Sequence, residues 1–147
     1  MQARTCWSAL EYKAEVAVDQ TLGHIVKARQ VHSTLQSSHQ RLLVLYQEYR
    51  SQSLAQQDSR GMKEATEQRQ FMSQLLTLRK RLERDIANAE HHLQQLQQHM
   101  TALETQRIKM KTLREADHRA VSAFRQKREQ RQMDELGVMQ FNRRVTP

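Results

Sequence analysis

The sequence has very little glycine and proline. Only three of its 147 residues are Gly, and the one Pro is the last residue. A β-sandwich or β-barrel of this length needs many tight turns, and those turns depend on Gly and Pro. Gly23, Gly61 and Gly137 are also too far apart to form a Gly-rich phosphate-binding loop. An all-β fold and the common nucleotide-binding motifs are therefore excluded.

Cysteines and long apolar runs are equally scarce. Cys6 is the only cysteine, so neither an internal disulfide nor a Cys-based zinc site can form, as is usual in a reducing compartment. No run of 18 apolar residues is present, which argues against a membrane-spanning helix. The first 15 residues lack the apolar core of a secretory signal. We therefore expect a cytoplasmic protein.

Signals for catalysis or metal binding are missing as well. Among the seven histidines, His92 and His99 are seven residues apart, whereas zinc-binding pairs on a helix are usually three or four apart. Paired catalytic carboxylates need a cavity, and the two-helix fold that we predict below has none. We expect no metal, no cofactor and no enzymatic activity, and we expect the histidines to be solvated.

Long helices are what the sequence does favour. Charged residues make up 27%, Gln contributes 21 residues, and Leu, Ala, Met, Arg and Glu are frequent, a composition typical of helices that share a narrow apolar seam. A heptad pattern predicts a left-handed coiled coil. It comprises Leu75, Leu82, Ile86, Ala89, Leu93, Leu96, Met100, Leu103, Met110, Leu113 and Phe124.

A second, looser pattern precedes this one. Leu35, Leu42 and Tyr49 are seven residues apart, and an apolar stripe further back contains Leu10, Ala14, Val18, Leu22 and Ile25. The one turn signal is SQSLAQQDSRG at residues 51–61. We therefore predict an all-α protein, a long antiparallel two-helix coiled-coil hairpin with a C-terminal helical overhang.

The expected boundaries follow from the same signals. Residues 1–147 form a single domain, with helix one at about 5–55, the turn at about 52–62, helix two at about 62–136 and a tail at 137–147. Gly137 is the predicted stop signal. Pairing outward from about residue 57 places Leu42 near residue 72 and Trp7 near residue 107. Helix two then lacks a partner beyond about residue 115.

Charge is concentrated in the overhang. Residues 107–147 contain 11 Lys/Arg and 5 Asp/Glu, while residues 1–106 contain 13 and 11. This basic helix is open to three interpretations: a solvated face, a protein-binding site or a nucleic-acid-binding site. A basic helix beside a coiled coil is the bZIP layout, but Glu129, Asp134 and Glu135 interrupt it, and few aromatics are available for base stacking.

A second candidate surface lies near the turn. Its apolar residues are Leu42, Leu45, Tyr46, Tyr49, Phe71, Leu75, Leu76 and Leu78. A two-helix seam takes only one stripe from each helix, so some of these side chains must be exposed, which favours a partner site. A locally wider core and dimerisation through this region are the alternatives.

Three stretches resemble one protein family. They are LLVLYQEYR at 42–50, QFMSQLLTLRKRLE at 70–83 and KREQRQMDELGVMQFNRR at 127–144. In their order and positions they are similar to segments of the FliJ family. Members of this family are small helical components of the bacterial flagellar type III export apparatus. The equivalent stalk of a virulence type III secretion system, a basic coiled-coil nucleic-acid-binding protein and a generic scaffold are the alternatives.

The resemblance implies a non-enzymatic stalk and adaptor. FliJ-like proteins insert into the hexameric export ATPase ring, contact the cytoplasmic domain of the export-gate membrane protein and escort export chaperones. This implies peripheral association with the inner membrane at the flagellar base, and no nucleic acid as partner. The implied gate contacts are Leu42, Leu45, Tyr49, Phe71, Leu75 and Leu78. The expected ATPase-ring contacts are Arg125, Lys127, Arg128, Arg131, Met133, Asp134, Glu135 and Leu136.

Overall fold

The computed structural model describes residues 2–55 and 61–145. They form two helices, α1 (Thr5–Ala55) and α2 (Met62–Val145), and no strand occurs in these two ranges. The prediction of an all-α helical hairpin is confirmed. Residues 56–60, in the middle of the predicted turn, lie outside the described residues, as do residues 146–147 of the predicted tail.

Local chemistry sets the start of α2. The backbone carbonyl of Gly61 accepts a hydrogen bond from the backbone N–H of Ala65 at 3.1 Å, so Gly61 caps the helix. Glu64 lies in the first turn, and Arg143 and Arg144 lie in the last. These charges have the signs that the helix dipole favours at its two ends.

The chain divides into two compact units. Unit 1 comprises the described residues of 1–19 and 101–147, and unit 2 comprises residues 20–100 apart from the undescribed 56–60. Each unit contains a segment of α1 and a segment of α2.

In unit 2 the two helix segments pack along a heptad seam. Ile25, Ala28, Leu42 and Leu75 are buried, together with the polar Thr21. Half-buried residues continue the seam at alternating steps of three and four, for example at Leu82, Ile86, Ala89, Leu93, Leu96 and Met100. This spacing is that of an antiparallel coiled coil. The seam is narrow, because no described side chain in the chain falls below 2% exposure.

In unit 1 the first residues of α1 pack against the second half of α2. Val18 and Val121 are buried. The backbone N–H of Arg4 donates to Asp117 Oδ2 at 2.7 Å, and Arg114 Nε pairs with Glu11 Oε2. Val121 is the last residue of α2 that is not exposed. We call residues 122–145, all of which are exposed helix, the C-terminal arm.

The register of the helices differs from the expected one. Cross-helix contacts in unit 2 join His32 to Glu90, His39 to Glu83 and Tyr49 to Phe71. The midpoint of each pair is residue 61 or 60, whereas pairing was expected to centre on about residue 57. The placement of Leu42 near residue 72 is therefore wrong, and Leu42 lies level with about residue 80. Because a coiled-coil seam repeats every seven residues, sliding α2 along α1 by about one heptad brings an equivalent set of apolar residues into contact with α1.

Two related expectations are corrected in unit 1. Trp7 lies between Arg4 and Glu11, whose partners are Asp117 and Arg114, so it is not near residue 107. For the same reason the unpaired part of α2 begins after Val121 rather than at about residue 115.

Gly137 does not end the second helix. Helix α2 was expected to end at about residue 136, but it continues through Gly137 to Val145. No described Gly has a positive φ, so Gly137 does not adopt the left-handed conformation that ends many helices. A single interior Gly costs only about 1 kcal/mol relative to Ala, and Gln, Met and Arg are frequent around it.

Candidate interaction surfaces

The surface near the turn, which we call the tip surface, contains the six residues predicted as gate contacts. They lie at three depths. Leu42 and Leu75 are buried at 7% exposure, Tyr49 and Phe71 are half-buried, and Leu45 and Leu78 are exposed at 42% and 45%. The structure therefore brings the six residues together but leaves only two of them mainly open to a partner.

The depth of each side chain follows from helix geometry. Leu45 and Leu78 each follow a buried Leu by three residues, which places each one at the edge of the seam. Residues with the same offset from the seam lie on the same side of an antiparallel coiled coil, so Leu45 and Leu78 flank it together. Nearer the turn, the rings of Tyr49 and Phe71 have centroids 4.5 Å apart and are tilted by 43°, a distance typical of stabilising aromatic pairs.

Two exposed apolar residues were not predicted as contacts. Val44 is 46% exposed and Leu76 is 39% exposed. Leu76 was part of the apolar cluster, but Val44 was missed. Its signal was present in the sequence, since Val44 is two residues from buried Leu42 and therefore projects away from the seam.

Charged residues line the opposite edge of this seam. His39 Nε2 lies 3.4 Å from Glu83 Oε1, and His32 Nε2 lies 3.2 Å from Glu90 Oε1. Arg79 Nε donates to Glu83 Oε1 at 3.0 Å, and this bond, with the weaker effect of His39, lowers the pKa of Glu83. The histidines were expected to be solvated, and this is wrong for His32 and His39, which are half-buried in the seam.

The C-terminal arm carries all eight predicted ring contacts. Arg125, Lys127, Arg128, Arg131, Met133, Asp134, Glu135 and Leu136 are all exposed. Further exposed apolar side chains follow, at Val138, Met139, Phe141 and Val145, each between 59% and 67% exposed. Four of the arm's six basic residues lie in 125–131 and most of its large apolar residues lie in 133–145, although Phe124 precedes the first group and Arg143 and Arg144 lie within the second.

A metal-binding cluster and a membrane-spanning stretch are both absent from the described residues. Within residues 2–55 and 61–145, no three His, Cys, Asp or Glu side chains lie close enough together to hold a metal ion. Neither described helix contains a stretch long and apolar enough to cross a bilayer.

Comparison with known proteins identifies the family. No curated protein and no solved structure is significantly similar to the chain. The family model described as flagellar FliJ protein, however, matches residues 10–146, which is nearly the whole chain and includes both candidate surfaces. The chain therefore belongs to the FliJ family and is a protein associated with flagellar export.

Proposed function

We propose that this protein is a non-enzymatic stalk and adaptor of the flagellar type III export apparatus. The C-terminal arm inserts into the hexameric export ATPase ring, and the tip surface contacts the cytoplasmic domain of the export-gate protein. One observation carries the proposal: every residue from 122 to 145 is exposed, although the second half of this helix is rich in apolar side chains. Such a helix is typically covered by a partner.

The distribution of apolar groups on the arm favours a partner that surrounds it. At about 100° per residue, Met133, Leu136, Val138, Met139 and Phe141 point in directions spread around most of the helix. A single groove would cover only one stripe, whereas a ring covers the whole circumference. The loops around a ring's pore provide such an enclosure.

The basic half of the arm has a different role in this proposal. Residues 125–131 contain four Lys/Arg and one acidic residue. Exposed charges of one sign mainly steer association and set its rate. Asp134 and Glu135 then oppose basic groups on one ring subunit and give the contact a direction.

The tip surface supports the gate contact. Leu45 and Leu78 are its exposed anchors at the edge of the seam that buries Leu42 and Leu75, and the Tyr49–Phe71 ring pair lies nearer the turn. Exposed apolar side chains grouped on one face are common features of partner sites. Escort of export chaperones, and a position at the inner membrane beside the gate, complete the proposal on the strength of family membership alone.

Two matched variants test the proposal. Truncation after Val121 should abolish stimulation of the export ATPase and leave binding to the gate domain intact, whereas Leu45→Ser with Leu78→Ser should do the reverse. Loss of both activities in either variant, with helicity preserved, would contradict the division of roles.

A nucleic-acid-binding arm predicts a different result. Binding to duplex DNA would weaken with salt in proportion to the number of phosphates neutralised. If the full chain binds DNA in this way and the truncated chain still stimulates the ATPase, the stalk proposal for the arm is wrong.

A further inference from the structure

A group of basic residues in unit 2 is used by neither proposed contact. Arg41, Lys80, Arg81 and Arg84 are exposed, and none of them forms an ion pair with another described residue. We call these four residues the basic belt. The acidic residues nearest to the belt on α2 are Glu83, which is engaged by Arg79 and His39, and Asp85, which forms no ion pair with another described residue. The four cations of the belt therefore outnumber the acidic residues beside them.

The register of the helices brings the belt together. His39 contacts Glu83, and in an antiparallel pair the residue two positions after His39 lies level with the one two positions before Glu83. This sets Arg41 level with Arg81 along the coiled coil. On α2, Arg84 is nine residues from buried Leu75 and therefore points directly away from the seam. Lys80 and Arg81 lie on either side of that direction.

Exposed aliphatic side chains border the belt. Leu76 and Leu78 of α2 are 39% and 45% exposed and lie on either side of the sector that Lys80, Arg84 and Arg81 occupy. Cationic side chains next to exposed aliphatic ones are the combination that binds the surface of an anionic bilayer, because the cations meet lipid phosphates and the aliphatic groups enter the interface.

We propose that the basic belt binds the anionic phospholipid headgroups of a membrane surface. The outward face of α2 is convex, and its three cations cover a sector about 100° wide. A fluid lipid surface can adapt to such a face, since its headgroups move to meet each cation. An acidic protein partner would need a complementary groove of fixed shape. The proposal rests on the cations Lys80, Arg81 and Arg84, which the gate contact does not use, while Leu78 borders both surfaces.

Vesicle sedimentation tests the proposal with the full chain. The protein should bind vesicles that contain phosphatidylglycerol and should not bind vesicles of pure phosphatidylcholine. Each basic residue near an anionic surface contributes about fivefold to binding, so the triple variant Lys80→Ala, Arg81→Ala and Arg84→Ala should bind roughly a hundredfold more weakly. Raising the salt concentration should weaken binding of the native chain more than that of the variant.

Two controls make the test specific to the belt. The variant Lys109→Ala, Lys111→Ala and Arg119→Ala has the same net charge and removes exposed cations of α2 outside the belt, so it should retain near-native vesicle binding. The variant Arg125→Ala, Lys127→Ala and Arg128→Ala should also retain it. Circular dichroism of each variant checks that the helices are intact.

Several outcomes would overturn the proposal. Equal weakening by the belt and control variants would indicate binding by overall charge, and selective weakening by the arm variant would place lipid binding in the arm. Failure of the native chain to bind anionic vesicles, combined with belt-dependent binding to duplex DNA, would make the belt a nucleic-acid site. Gate binding and ATPase stimulation, measured without lipid, report separately on the proposed function.

Discussion

His39 of α1 and Glu83 of α2 face each other across the seam, with 3.4 Å between Nε2 and Oε1. One heptad away on both helices, His32 and Glu90 repeat the arrangement at 3.2 Å. The two pairs fix which turn of α1 lies beside which turn of α2 in unit 2. Since apolar heptads alone permit several registers, these polar pairs help to select one.

Acid should remove part of the stability that Glu83 provides. Its pKa is lowered from 4.5, first by the hydrogen bond from Arg79 and then by that from His39. A carboxyl whose pKa is lower in the folded state adds stability above its unfolded pKa and loses it as pH falls through the folded value. We expect the difference in melting temperature between the native chain and Glu83→Gln to be present at about pH 5 and to vanish at lower pH, once Glu83 is protonated in both the folded and the unfolded state.

Glu67→Gln is the matched control for this titration. Glu67 is an exposed carboxyl of α2 that forms no ion pair with another described residue. Its melting-temperature difference should stay small at every pH. If the two variants show the same pH profile, the Arg79–Glu83–His39 contacts do not contribute to stability.

Cross-linking checks the register directly. In a Cys6→Ser background, His39→Cys with Glu83→Cys should be joined rapidly within one chain by a short bismaleimide. Leu42→Cys with Met72→Cys should react slowly, because these positions are about eight residues out of register, or roughly 12 Å along the helix axis. Mass spectrometry of the monomer band gives both rates. Faster reaction of the second pair would restore the register centred on residue 57.

The fold class was predictable from sequence, but the register was not. The heptads at Leu75, Leu82 and Ile86, together with the lack of Pro and of any second turn signal, suffice for a two-helix hairpin. The register depends on where the chain reverses, and a reversal moved by about four residues shifts the pairing by about one heptad. The pattern of apolar residues then looks the same, so only contacts such as His39 with Glu83 distinguish the two.

The burial of each residue of the tip surface could not be predicted either, because the apolar pattern alone does not determine it. Eight apolar residues near the turn exceed what one seam can bury, so the sequence indicates that some are exposed but not which. Burial of Leu42 and Leu75 and exposure of Leu45 and Leu78 depend on the phase of each helix about its axis. The arm, by contrast, could be recognised as unpaired from the unequal lengths of the two helices.

Truncating the leucines should separate core from surface. Leu75→Ala removes a buried side chain and should lower the free energy of unfolding by about 2–5 kcal/mol. Leu78→Ala changes an exposed one and should alter it by about 0.5 kcal/mol or less. Urea unfolding followed by circular dichroism measures both. The family resemblance implied that Leu75 is a gate contact, whereas its 7% exposure indicates that Leu75→Ala acts mainly on stability.

Whether the whole chain behaves as a single domain is a separate prediction. Helices α1 and α2 each run through both compact units, so local unfolding in one unit should propagate along continuous helices into the other. We expect fluorophores attached at Lys109 in unit 1 and at Arg29 in unit 2, each through a Cys substitution in a Cys6→Ser background, to report the same melting temperature. Two separate transitions would identify two domains.

Gly137 is where a single substitution should change the arm alone. A Cβ added there meets no atom within 4 Å, and its φ is not positive. Gly137→Ala should therefore favour the helix by about 1 kcal/mol, whereas Gly137→Pro should disfavour it by about 3 kcal/mol. Hydrogen exchange of amides in 133–145 should slow about fivefold in the first variant and accelerate in the second, with exchange in 20–55 unchanged.

The same pair of variants connects arm order to function. If the arm enters its partner as a helix, Gly137→Ala lowers the entropy lost on binding and should strengthen the interaction up to about fivefold, while Gly137→Pro should weaken it. Titration of ATPase stimulation against protein concentration provides the measurement. Stimulation that is equal for both variants, despite opposite changes in hydrogen exchange, would mean that the segment beyond Leu136 does not bind as a helix.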